Sequence, residues 1–202
     1  MRANRIRGLA QLPVLVSVGV SGLVSLAALG ALALAEASCS SVPADQRIGI
    51  DAPSGSEDQF GIVGDYLDHR CGSLDCHGQP GRNLRIWGCD GMRLDPHAFP
   101  ICNVAQGGSF TTVAEHQATY RSLVGLEPTV MSAVVSGHGV HPELLTFVRK
   151  ARGLEAHKGG TLITPGDDQD VCISSWLAGQ TDSTSCGNAL GYPMYPQDAS
   201  VE

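Results

Sequence analysis

The chain has 202 residues, a length that suits one ordinary domain with a buried core and leaves too little for two full domains. Once an N-terminal export segment of 37 residues is set aside, 10 basic and 19 acidic residues remain, a formal charge of −9. An acidic chain of this kind is not expected to bind nucleic acid, because binding to phosphates needs an excess of Lys and Arg.

The N-terminus carries Arg2, Arg5 and Arg7, and the 28 residues from Gly8 to Ala35 have no charged side chain. This pattern predicts a signal peptide or membrane anchor over residues 1–38. The chain beyond it is therefore expected outside the cytoplasm, in the periplasm or cell envelope, where thiols can oxidise or react with haem.

Three ends of this export segment are compatible with the sequence. Ala35-Glu36-Ala37 fits cleavage before Ser38, while Ala37-Ser38-Cys39 resembles a lipoprotein box that would leave Cys39 lipidated. An uncharged run of this length can also span a bilayer as an uncleaved helix. We favour the lipoprotein, in part because a lipid on Cys39 leaves an even number of the seven cysteines.

The remaining chain is divided by composition. Residues 39–56, rich in Ser, Pro, Asp and Gly, are predicted to form a linker, residues 57–190 a single domain, and residues 191–202 a C-terminal tail. In the domain, Ser56 and Gln59 have capping-box spacing, and apolar residues at helical intervals predict a first helix that ends at Cys71. Residues 72–108 contain many turn-forming residues and are predicted to be mostly loop.

Later helices are marked by their ends. Thr112 and Glu115 have capping-box spacing ahead of a helix that stops at Gly125, and Pro128 opens a helix that stops at Gly137. Residues 144–148 form an apolar run compatible with either a strand or a helix end. Residues 168–177 form a last helix, with three Asp residues at its start. The fold class is therefore mainly α: a small helical domain with long Gly-rich loops that needs an additional constraint.

The segment Cys71-Gly-Ser-Leu-Asp-Cys76-His77 carries the most specific chemistry. Covalent attachment of haem c requires two thiols that add to the porphyrin vinyl groups and an adjacent imidazole that binds the iron, usually as Cys-x-x-Cys-His. Here four residues separate the cysteines, so the two extra ones must bulge out as a loop. Two alternatives are a local Cys71–Cys76 disulfide and a metal site, although no further ligand cluster with zinc-finger spacing follows.

Two longer stretches carry a resemblance to a known family. CGSLDCHGQPGRNLRIWGCDGMRLD and LLTFVRKARGLEAHKGGTLITPGDDQDVCISSWLAG together cover about 60 residues. They resemble the opening and the end of planctomycete-type cytochrome c domains, which have a haem motif, a Gly-Leu-Arg-Leu-Asp segment and a His-x-Gly-Gly element. The whole chain also resembles predicted bacterial lipoproteins without an assigned function. The resemblance implies a small cytochrome c-like helical domain with covalent haem c held by Cys71, Cys76 and His77.

The sixth iron ligand does not follow from the resemblance, because the chain has no Met-Pro-Pro segment. We predict His157, of the His-x-Gly-Gly element, with Met131 as the alternative. Met131 lies on an apolar helix face, where methionine usually belongs to the core. The other candidates are a five-coordinate iron and the side chains of His138, His141, Met92 and Met194.

The remaining four cysteines allow three pairings. Local pairing, Cys89 with Cys102 and Cys172 with Cys186, is the simplest. Each disulfide would close a short loop and stabilise the fold by roughly 3 kcal/mol.

The sequence thus predicts an extracytoplasmic, monohaem, c-type cytochrome-like protein that carries single electrons to or from an unknown redox partner protein. It is expected to be tethered to the membrane by an N-terminal lipid or helix. Electron transfer needs no catalytic acid or base, so the chain is not expected to be an enzyme. The rival hypothesis is a cofactor-free surface lipoprotein, stapled by three disulfides, that acts as a binding or structural module.

Overall fold

The order of helices follows the capping and stop signals of the sequence. The computed structural model describes residues 43, 46 and 49–191, and residues 49–191 belong to one compact unit. Six α-helices are described: α1 (Glu57–Cys71), α2 (Val113–Val124), α3 (Pro128–Ser136), α4 (Thr146–Ala151), α5 (Asp168–Leu177) and α6 (Ser183–Leu190). Short 3-10 helices occur at Val104–Gln106 and Pro142–Leu144.

The mainly helical prediction is confirmed: within residues 49–191, β-structure is limited to the isolated bridges Ser73–Gly91 and Trp87–Met92. The Thr112–Glu115 capping box forms completely, whereas the Ser56 side chain does not cap α1. Ser56 shares a hydrogen bond with the Ser54 hydroxyl instead. The sequence did not predict α6, which is only eight residues long and is capped by Asp182.

The core lies where α1 packs against α2, α5 and α6. Phe60 stands at its centre, with ring centroids 5.1 Å from Trp176 and 5.4 Å from Tyr120. Burial of such large rings is the main driving force for a domain of this size. The buried apolar set comes from all six helices and from three positions outside them, Ile86, Leu145 and Ile163.

Both locally paired disulfides, Cys89–Cys102 and Cys172–Cys186, are present, as the sequence predicts. The second joins α5 to α6, and both of its cysteines are fully buried. The first ties two positions in the long loop between α1 and α2. The first disulfide supplies a constraint in a long loop without helices to hold it, and the second adds one to a packed helix pair.

Residues 51–55, at the end of the predicted linker, are hydrogen-bonded to the helices. The Pro53 carbonyl accepts a hydrogen bond from the Tyr120 hydroxyl, and the Ser54 carbonyl accepts one from Trp176 Nε1 at 2.8 Å. Gln117 also donates to the Gly55 carbonyl. Backbone carbonyls, which every residue has, make these contacts, so composition could not reveal them.

The predicted export segment, Cys39 and the C-terminal tail from residue 192 lie outside the described residues. Within the part of the chain that the structure describes, no helix is both long and apolar enough to cross a bilayer.

Candidate functional site

A cavity of about 470 Å³ opens between the end of α1, the loop that follows His77, α4 and the segment after α4. Its volume falls within the range of roughly 300–1,000 Å³ typical of small-molecule and cofactor sites. The apolar part of the wall is formed by Tyr66, Leu67, Leu84, Ile86, Leu126, Phe147, Ala151, Leu162, Ile163 and Ile173. The polar part is formed by Cys71, His77, Arg82, Asn83, Glu127, Thr146, Lys150 and His157.

His77 is held in the cavity wall by a closed loop. The His77 amide donates to the Cys71 carbonyl at 3.0 Å, and the Ile86 amide donates to the His77 carbonyl at 3.0 Å. The position after His77 must be glycine, because a Cβ at Gly78 would lie 1.7 Å from the Gly72 carbonyl oxygen. The loop with four residues between the cysteines thus folds back on itself and delivers the imidazole to one side of the cavity.

The orientation of the His77 ring is fixed by its Nδ1 atom, which donates to the Leu84 carbonyl at 3.1 Å. This hydrogen bond selects the tautomer that leaves Nε2 as the ligand atom, the arrangement usual for histidines that bind metals. Burial lowers the pKa of His77, and the Leu84 hydrogen bond only partly offsets this effect. The neutral imidazole, which is the form that binds a metal, is therefore favoured.

His157, which also lines the cavity, has a similar hydrogen bond. Its Nδ1 atom donates to the Gly160 carbonyl at 3.4 Å, within the turn formed by His157-Lys-Gly-Gly160. Gly160 has a φ of +73°, which only glycine adopts without strain. A Cβ at position 159 would lie 3.0 Å from the ring of His157. The two glycines therefore shape the turn that presents this imidazole.

The two imidazoles lie near one another in the cavity wall, with ring centroids 6.1 Å apart and planes inclined by 23°. Metal–imidazole bonds are about 2 Å long, so two imidazoles on opposite sides of one metal ion have ring centres about 6 Å apart. In both rings the described hydrogen bond is made by Nδ1. The pair is therefore spaced to bind one metal centre from two sides.

The two cysteines of the motif are free thiols, so the Cys71–Cys76 disulfide is not formed. Cys71 lines the cavity, and burial raises the pKa of its thiol to about 12. Cys76 is exposed and is not part of the cavity wall. The structure thus brings Cys71, His77 and His157 together and leaves Cys76 at the surface of the adjoining loop.

The alternative ligands are not in the cavity wall. Met131 is fully buried in the core, in agreement with the usual place of methionine on an apolar helix face. His138 and His141 lie in the turn after α3 with φ values of 55° and 58°, and Met92 lies in the bridge with Trp87. Met194 lies outside the described residues.

A compact group of potential metal ligands in the described chain consists of Asp68, Cys89 and Cys102. Its two sulfur atoms are joined in a disulfide and are not available as thiolates. Cys71, Cys76 and His77 do not form such a group. A zinc site at the motif is thus not supported by this geometry.

The sequence did not single out Arg82, Asn83, Lys150 or the apolar wall as parts of a site. Arg82 and Asn83 fall in a Gly-rich loop that looks solvent-exposed, and Lys150 lies on a helix whose existence the apolar run left undecided. The only sequence feature that could have indicated a role for Arg82 in the site is its position five residues after His77. Their common placement around a cavity is a property of the tertiary structure.

No family model, curated protein or solved structure matches this chain.

Proposed function

We propose that this chain is an extracytoplasmic, c-type cytochrome-like protein that binds one haem c between His77 and His157 and carries single electrons. The observation that carries the proposal is the pair of imidazoles 6.1 Å apart in a largely apolar cavity, each oriented by a backbone carbonyl. Packing in the hydrophobic core does not account for the orientation of either imidazole, since both rings are at the cavity wall.

Each residue would have a defined task. His77 and His157 would bind the iron from its two faces through Nε2, and the carbonyls of Leu84 and Gly160 would keep both rings in position. Haem c, when bound, supplies a one-electron Fe(III)/Fe(II) couple. Two imidazole ligands set a lower reduction potential than an imidazole and a methionine sulfur.

The thiols would fix the macrocycle covalently. Cys71 already lines the cavity. Cys76 would have to turn its side chain toward the cavity, and its exposed position in the loop leaves room for that rotation. The raised pKa of Cys71 means that the thiolate must be generated during attachment, a step for which a maturation system is expected.

The proposed location agrees with the two disulfides, because disulfides persist in oxidising compartments outside the cytoplasm. A lipid on Cys39 or an uncleaved helix would tether the domain to the membrane. The electron donor or acceptor would be another protein of the cell envelope, which meets the domain at the cavity mouth.

The test is production of the full chain in a bacterium with periplasmic haem-maturation machinery. We expect haem that stays attached on a denaturing gel and a mass increased by one haem. The Cys71→Ser/Cys76→Ser variant should lose the covalent haem. The matched control His138→Gln, at a histidine outside the cavity wall, should retain it.

A folded chain without covalent haem would refute the cytochrome proposal. It would favour the cofactor-free lipoprotein, whose third disulfide, Cys71–Cys76, can be measured in the same sample as a loss of two thiols. In the structure these thiols are free, which favours the haem hypothesis over the disulfide-stapled one.

A further inference from the structure

Arg82 lies at the cavity wall, five residues after His77, and is partly buried. Its Nε atom donates to the Cys76 carbonyl at 2.9 Å and its Nη2 atom donates to the Asp75 carbonyl at 3.2 Å. These bonds fix the guanidinium against the loop that carries His77. They are made to neutral carbonyls, so the positive charge is not compensated by them.

The guanidinium has capacity left for an anion. Arginine has five N–H donors in a planar fork that matches a carboxylate, and no hydrogen bond to Nη1 of Arg82 is described. Among the described residues, Arg82 forms no ion pair with a carboxylate. A partly buried cation beside an apolar wall favours a bound anion, because a low local dielectric strengthens the attraction.

The other cations near the cavity differ from Arg82 in this respect. Lys150 also lines the cavity, but its Nζ atom lies 2.7 Å from Glu155 Oε1 and donates to the Ala156 carbonyl. Arg85 and Arg121 are exposed and line an adjoining, more open depression, not the cavity itself. Arg82 is therefore the cation best placed to meet a carboxylate of a ligand inside the cavity.

A ligand that is apolar over most of its surface and carries a carboxylate at one edge matches the apolar wall and Arg82, since the Glu127 carboxylate of the wall is hydrogen-bonded to Thr146. Haem meets both requirements, since its macrocycle is apolar and it carries two propionate carboxylates. We infer that Arg82 binds a haem propionate and thereby fixes the rotational position of the macrocycle between His77 and His157. This inference rests on the proposed function and adds to it a residue that selects a carboxylate-bearing porphyrin.

The test uses the haem-loaded protein and resonance Raman spectroscopy of the propionate bending modes, which respond to hydrogen bonds at those carboxylates. We expect one propionate mode to move to lower frequency in the Arg82→Gln variant and the reduction potential to fall, because a positive charge beside the oxidised iron is lost. Arg82→Lys keeps the charge but not the planar fork. Its propionate mode should therefore also shift, with a smaller change in potential.

The matched control is Arg121→Gln, which removes an equal charge from an exposed position on α2 outside the cavity wall. Its propionate modes should equal those of the unaltered protein. Unchanged modes in both Arg82 variants would overturn the inference while leaving the cytochrome proposal intact. If the unaltered chain acquires no covalent haem, the cytochrome proposal fails and this inference fails with it.

Discussion

Arg93 Nε donates to Glu115 Oε1 at 2.8 Å, and both side chains are almost completely buried, with 4% and 2% of their surface exposed. Glu115 also accepts hydrogen bonds from the Thr112 and Leu94 amides. The ion pair joins the Gly91–Asp95 segment to the start of α2. In this chain the arginine of the element that resembles Gly-Leu-Arg-Leu-Asp is therefore a structural residue, and it does not line the cavity.

Loss of this arginine is predicted to be costly. Arg93→Met leaves Glu115 as a buried charge without its partner, and we expect the free energy of unfolding to fall by about 3–5 kcal/mol. Arg121→Met, at an exposed arginine on α2, should change it by less than about 0.5 kcal/mol. Urea unfolding followed by circular dichroism measures both. Equal, small effects would show that the pair contributes little.

Removal of the predicted sixth ligand should change the iron coordination but not the covalent attachment. In His157→Ala the ring is lost from a surface turn, so we expect haem to stay attached and the iron to become five-coordinate and high-spin. Absorption and electron paramagnetic resonance spectra measure this change, and added imidazole should restore the six-coordinate spectrum. Spectra equal to those of the unaltered protein would exclude His157 as a ligand.

The two motif thiols should differ in reactivity when the chain is produced without haem maturation. Burial raises the pKa of Cys71 to about 12, whereas Cys76 is exposed. Because the thiolate is the reactive form, we expect iodoacetamide at about pH 8 to modify Cys76 at least about 100-fold faster than Cys71. Peptide mass spectrometry over a time course measures both rates. If neither Cys71 nor Cys76 reacts, the two form a disulfide and the thiols are not free.

We predict that the contribution of His116 to the stability of the fold depends on pH. Its buried ring lies 2.7 Å from Glu57 Oε1 and 2.9 Å from Asp65 Oδ1. Burial lowers the pKa of His116, but the hydrogen bonds and charges of Asp65 and Glu57 raise it by more, so the net shift is upward from 6.5. The stabilisation is therefore fully present below about pH 6.5 and is lost as the pH rises through the higher folded-state pKa.

We expect His116→Gln to lose about 1 kcal/mol more stability at about pH 5.5 than at about pH 8.5, because both carboxylates are half exposed and the interaction is screened. His69→Gln is the matched control, since this histidine pairs with a carboxylate, Asp90, at a more exposed position. Urea unfolding at the two pH values measures the difference. A loss of stability that is equal at both pH values would contradict the assigned charge on His116.

We predict that replacement of Asp68 by a neutral side chain stabilises the fold. This buried carboxyl accepts hydrogen bonds from Thr111 Oγ1 and the Asp90 amide, while its Oδ1 atom has no partner in the described structure. Burial, the largest effect, raises the pKa of Asp68 above 3.8 despite these hydrogen bonds. The stability it contributes is therefore present below about pH 3.8 and is lost as the pH rises through the folded-state pKa.

Asp68→Asn removes the cost of burying a carboxylate, so we expect a gain of about 1 kcal/mol at about pH 8 that disappears near pH 4. Thermal unfolding at the two pH values measures it. Asp90→Asn is the neighbouring control, because that carboxyl is more exposed. A loss of stability in Asp68→Asn at about pH 8 would mean that the native structure needs the ionised carboxylate.

Several structural features of this protein could be predicted from its sequence because they depend on local interactions. The Thr112–Glu115 capping box, Pro128 as the first residue of α3 and the Asp cluster at the start of α5 each act within one helical turn. The disulfides followed from short loops, which are the simplest to close. The sequence also selected His77 and His157 as a pair of candidate ligands.

The tertiary structure alone decided how these residues meet. His77 and His157 are 80 positions apart in the chain, and only the tertiary arrangement of the end of α1, α4 and the turn after α4 around one cavity brings their rings to 6.1 Å. The tertiary structure also placed Arg82 in the cavity wall and left Cys76 at the surface, and it attached residues 51–55 to the domain through Tyr120 of α2 and Trp176 of α5. Such contacts depend on side-chain packing and backbone carbonyls across the whole domain, which spacing along the chain does not encode.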